Sequence, residues 1–168
     1  EGGIWMGGGG LAVDSNTNLY FTIGDGNFNA YTGGTEYGNS VVKLSTATGF
    51  SVADYFTSYN QDFYRLNDLD LGSGGVMLLP DGVGSAAHRH LMIGAGKEGN
   101  LLLIDRDHLG GFSAMGDRIV QKVNGAIGRN FGTPAFCNGL VYFQGAKDVL
   151  KAFAAAKINL YLHVTGRR

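Results

Sequence analysis

Leu91-Met92-Ile93-Gly94-Ala95-Gly96-Lys97-Glu98-Gly99 carries an apolar strand into a turn of glycine and acid, and Leu101-Leu102-Leu103-Ile104-Asp105 leaves that turn as a second apolar strand. The same device stands twice more. Leu19-Tyr20-Phe21-Thr22-Ile23 enters Gly24-Asp25-Gly26, with Val41-Val42-Lys43-Leu44 further on. Val141-Tyr142-Phe143-Gln144 enters Gly145-Ala146-Lys147-Asp148 and continues as Val149-Leu150-Lys151-Ala152-Phe153. Each copy follows a strand that ends in a polar turn: Asp14-Ser15-Asn16-Thr17-Asn18, Pro80-Asp81-Gly82 and Cys137-Asn138-Gly139. Short β-branched and aromatic runs bounded by Gly, Asn and Asp are strand signals.

Working outward from these copies, strands are expected at residues 10–14, 19–23, 41–45, 52–56, 76–79, 90–93, 100–105, 119–123, 134–137, 140–143 and 149–153. No convincing helical stripe interrupts them. In the first two copies a fourth strand completes an antiparallel meander, the unit of a propeller blade. Such a unit buries its faces only against neighbouring units, so its repetition implies radial stacking. The reading is all-β: a partial β-propeller of about three four-stranded antiparallel blades, at about 8–60, 70–125 and 130–153. A sandwich or single barrel is the alternative that uses the same strands. Polar insertions at 27–40 and 58–73 interrupt the spacing, as loops on one rim do.

Composition agrees with a folded, turn-rich chain. Of 168 residues, 29 are glycine and only two proline, and 44% are hydrophobic against 16% charged, which excludes a disordered chain. A formal net charge of -1 supplies no field for nucleic acid or an anionic membrane. No apolar run is long enough for a membrane helix, and the first residues lack a signal peptide's basic start and apolar core. Beginning at Glu1, the chain raises the expectation that the natural N-terminus lies upstream. The single Cys137 cannot form an intramolecular disulfide, so redox setting stays open.

A family resemblance rests on Gly8-Gly9-Gly10-Leu11-Ala12-Val13-Asp14 with Asn18-Leu19-Tyr20-Phe21, on Asp68-Leu69-Asp70-Leu71-Gly72-Ser73-Gly74-Gly75, on residues 94–101 with Asp105-Arg106-Asp107, and on Phe131-Gly132-Thr133-Pro134-Ala135 with 149–153. Over about residues 1–153 the chain resembles the bacterial PQQ-like, quinoprotein-type propellers. That resemblance implies six to eight blades and a periplasmic or secreted setting. It also implies the remaining blades of a parent propeller as partners and, in enzymatic members only, a quinone (PQQ) beside calcium. The chain departs from those enzymes: its only Trp is Trp5, and no adjacent cysteine pair is present. The stretch 154–168, an extra strand or foreign tail, is similar to the first strand of diphosphocytidyl-methylerythritol kinase, a GHMP-type kinase of isoprenoid synthesis. There Lys157 and Asn159 match substrate-pocket residues, Ala155 stands where that family has Pro, and the phosphate loop is absent.

Individual residues offer limited chemistry, and no catalytic residue is nominated. Asp14, Asn16 and Asn18 place oxygens at alternate positions as a calcium loop does, but Gly at the sixth position and a distal Glu are missing, which favours a plain turn. His88 and His90 share one face of a strand and are a transition-metal candidate without a third ligand. Asp68 and Asp70 are two carboxylates of one segment, which an extended backbone is not expected to bring into direct cooperation. Residues 94–99 spell Gly-x-Gly-x-x-Gly, but a strand follows where a dinucleotide fingerprint needs a helix. The expected function is a non-catalytic binding or scaffold module that presents loops such as 27–40 to a protein or small-molecule ligand. A quinone-dependent dehydrogenase fragment and a kinase-derived tail are the rivals. Open blade faces lead to the expectation of self-association or low stability.

Overall fold

The computed structural model describes residues 2–156 and 159–164. They form three four-stranded antiparallel sheets, each a meander in chain order. The first contains β1 (Ala12–Val13), β2 (Leu19–Thr22), β3 (Ser40–Ser45) and β4 (Ser51–Thr57). The second contains β5 (Val76–Leu78), β6 (Leu91–Gly94), β7 (Leu101–Asp105) and β8 (Gln121–Val123). The third contains β9 (Ala135–Cys137), β10 (Leu140–Gln144), β11 (Leu150–Ala156) and β12 (Asn159–Val164). Each sheet has the blade form expected from the sequence. β12 lies within 154–168 and pairs antiparallel with β11, from Lys151 opposite Val164 to Ala156 opposite Asn159.

The sheets stack face to face with the second in the middle. Side chains alternate across a strand, and β6 and β7 carry apolar side chains on both faces from Leu91 to Ile93 and from Leu101 to Ile104. Leu91, Ile93, Leu101 and Leu103 enter a core with Val141, Phe143 and Phe153 of the third sheet. Met92, Leu102 and Ile104 enter another with Tyr20, Val41 and Phe56 of the first. A two-layer sandwich has one core between its sheets; the middle sheet here has one on each side. β1 and β2 also touch β5, so the opening strands of two sheets run beside each other.

Backbone chemistry sets the turns. Asn138 and Gly139 have φ of 50° and 77° between Cys137 and Leu140, which pair directly, so this is the two-residue hairpin turn that Asn-Gly favours. At the junction of the first two sheets, a Cβ on Gly72 would lie 2.3 Å from the Gly24 amide nitrogen, so only glycine permits that approach. Buried polar threads tie the layers together. Thr22 Oγ1 donates to the Gly74 carbonyl at 2.8 Å, and Asn130 Nδ2 donates to the Ala95 carbonyl at 2.9 Å.

One difference lies at 58–73, read from the sequence as a loop. It contains α1 (Gln61–Leu66), and residues 71–73 form a 3-10 turn. A helix of six residues is too short to print an amphipathic stripe, and its C-terminal end is tied by the Asn67 amide to the carbonyls of Phe63 and Tyr64.

Candidate functional site

The Asp14 segment is a turn built around one carboxylate. Asp14 Oδ1 accepts the amides of Asn16 and Asn18, each at 2.9 Å. Its Oδ2 accepts Asn18 Nδ2 and the Tyr20 hydroxyl, also at 2.9 Å. Partial burial would raise this carboxyl, but the four hydrogen bonds outweigh it and hold the group below its ordinary range. Asn16 and Asn18 thus face Asp14 as donors, whereas calcium asks for oxygens.

His88 and His90 each hold a separate carboxylate. His88 Nδ1 lies 2.8 Å from Asp105 Oδ2 and His90 Nδ1 lies 2.8 Å from Asp107 Oδ2. His90 Nε2 also faces Asp81 Oδ2 at 3.6 Å. Among the described residues no group of three metal-ligating side chains contains a histidine. Lys157 and the side chain of Asn159, which carry the kinase resemblance, lie outside the described residues.

Asp68 and Asp70 do converge, against the expectation that they would not act together; residues two apart already share a face in an extended segment. Asp68 has φ of 52°, in the left-handed region, so the backbone bends there and both carboxylates reach Lys97. Lys97 Nζ is 2.5 Å from Asp68 Oδ1, bonds Asp70 Oδ2 as well, and sits 5.6 Å from the centre of the Trp5 ring. Asp70 Oδ1 accepts the Asp25 amide at 2.6 Å, and Asp25 Oδ1 accepts Asn39 Nδ2 at 2.5 Å. Burial, with the charges of Asp70 and Asp68, raises the Asp25 carboxyl against the Asn39 hydrogen bond. The hydrogen bond and charge of Lys97 lower that of Asp68.

These three aspartates bring carboxylate oxygens within 4.8 Å of one another. The donor set nonetheless does not fit calcium, the ion that the resemblance implies in enzymatic members only. The Lys97 ammonium already bridges two of the three, and a hard cation would meet its like charge. The cluster acts as an ionic knot joining the loop after β2 to the segment that enters the second sheet. The sequence does not link Lys97, Asn39 or Trp5 to these aspartates, because partners this distant leave no spacing signal.

Beside the knot, loop 27–40 is an ordered platform. Asn29 holds it: its amide donates to the Glu36 carbonyl at 3.1 Å, its Oδ1 accepts the Glu36 amide at 2.9 Å, and its Nδ2 donates to Glu36 Oε2 at 2.7 Å. Asn27 Nδ2 donates to Glu36 Oε1 at 3.1 Å. The loop delivers Phe28 and Tyr31 to Phe112, a residue of the β7–β8 connection, with ring centroids 5.0–5.4 Å apart. Tyr55 of β4 stands 6.1 Å from Phe28 and 5.3 Å from Tyr37. Tyr31 is 58% exposed, so the cluster opens to solvent. A cleft of about 270 Å³ adjoins it, lined by Asn27, Thr35, Glu36 and Tyr37 among others.

No family model matches the chain, and no curated protein matches it.

Proposed function

We propose that the chain is a segment of a PQQ-like propeller that serves as a non-catalytic binding module, presenting loop 27–40 to a partner or ligand. The observation that carries this reading is the aromatic cluster of Phe28, Tyr31 and Phe112 on a loop fixed by its own hydrogen bonds. Rigid, solvent-facing aromatic rings provide large contact area at low cost in side-chain entropy. Neighbouring Asn27, Thr35 and Glu36 add polar groups that orient a ligand. The periplasmic or secreted setting implied by the resemblance belongs to the same proposal. Oligosaccharides and aromatic peptides passed over immobilised protein provide the test, run beside a Tyr31→Ala/Phe112→Ala double variant. Retention of one ligand class by the parent chain and its loss in the variant is expected; equal behaviour of the two proteins would defeat the proposal.

A further inference from the structure

A second cleft, of about 330 Å³, opens where the loop before β6 meets the β7–β8 connection. Its polar lining is His88, Asp105, His108 and Arg118, and Ala87, Ile119 and Val120 supply apolar wall. His88 and His108 stand twenty residues apart in the sequence, and folding puts both in one cleft.

Asp105 is buried and committed. Its Oδ2 pairs with His88 Nδ1 at 2.8 Å and its Oδ1 accepts the Asp107 amide at 2.9 Å. A carboxylate only accepts, so the Nδ1 of His88 carries a proton. That pairing orients the ring and leaves Nε2 without a hydrogen bond among the described residues. The side chains of His108 and Arg118 likewise make no hydrogen bond or ion pair among the described residues. Three donors capable of positive charge therefore line one cavity, and its sole carboxylate is spent behind one of them. A guanidinium presents a planar fork of N–H groups that matches phosphate oxygens, and imidazolium donors add charge-assisted bonds.

We propose that this cleft binds a small phosphate-type oxyanion, inorganic phosphate or a phosphate monoester, held by Arg118, His88 and His108. The experiment follows the imidazole resonances of the whole chain during titration with inorganic phosphate, phenyl phosphate and acetate at fixed ionic strength. Saturable shifts of His88 and His108 with phosphate or phenyl phosphate are expected, with His90 unmoved. The preferred ligand of the two separates a free-anion site from a monoester site. Arg118→Ala, a change at an exposed residue, should weaken binding at least tenfold with an unchanged unfolding midpoint, and Arg118→Lys should fall between. The proposal is overturned if phosphate does not saturate, if acetate binds as tightly, if His90 shifts equally, or if Arg118→Ala binds like the parent.

Discussion

Met92 and Ile93 are neighbours on β6, yet they bury in different cores. Met92 packs with Tyr20 and Phe56 of the first sheet, and Ile93 packs with Phe143 and Phe153 of the third. Both are fully buried, so the middle sheet has no solvent face at this point.

Truncation of either residue should therefore be costly and independent of which outer sheet it faces. Met92→Ala and Ile93→Ala are each expected to lose about 2–5 kcal/mol, the usual range for such deletions in a packed core. Denaturant unfolding measures this; a loss below about 1 kcal/mol for either would show that its face is not packed.

Gly72 and Gly132 separate a close approach from open space. A methyl on Gly72 meets the backbone of Gly24 at 2.3 Å and 2.6 Å, whereas nothing lies within 4 Å of one on Gly132. Gly72→Ala is expected to destabilise by about 1–3 kcal/mol, as overpacking does, and Gly132→Ala to stay within about 0.5 kcal/mol of the parent. Unfolding midpoints of the two variants decide it.

The Lys97 knot has an alkaline signature. Burial alone would lower the Lys97 ammonium, but Asp68 and Asp70 outweigh it and hold the group above its ordinary value of 10.5. A folded-state value above the unfolded one means that the stabilisation is complete below 10.5 and is lost as pH rises through the folded value. Lys97→Met should be less stable than the parent at neutral pH, with the gap closing at strongly alkaline pH and, on the acid side, as Asp68 takes up its proton. Thermal unfolding across that range checks the sign, and a gap that closes near neutrality would contradict it.

The outward face of the first sheet should drive association. Val13, Leu19, Leu44 and Val52 lie opposite one another in a row across all four strands. Met6, Phe21 and Val42 form a small core on that face, but Val13 remains 55% and Val52 40% exposed. Sedimentation is expected to show concentration-dependent self-association that Val13→Thr/Val52→Lys reduces. A parent chain that stays monomeric at high concentration would contradict this.

Some of the site could be read before folding. The density of Phe28, Tyr31 and Tyr37 within the 27–40 insertion was visible along the chain, but Phe112 was not assignable to it, because the two segments lie some eighty residues apart. His88 and His90 were legible as a pair of alternating imidazoles. Their separate carboxylates were not, because Asp105 and Asp107 come opposite them only through the antiparallel pairing of β6 with β7. Asp68 and Asp70, two residues apart, share a face even in an extended segment and were legible as a pair; Lys97, which bridges them, was not, because it arrives from the β6–β7 turn.

The amino-acid sequence by itself determined the strands, their hairpin turns and the all-β class, because period-two alternation and Asn-Gly or Asp-rich turns act between residues close along the chain. Tertiary structure alone decided which faces meet, that Lys97 joins Asp68 to Asp70, and that His88, His108 and Arg118 share one cleft. Those outcomes depend on side chains brought together from distant segments, and burial, charge and hydrogen bonding between such segments exist only once the sheets have stacked.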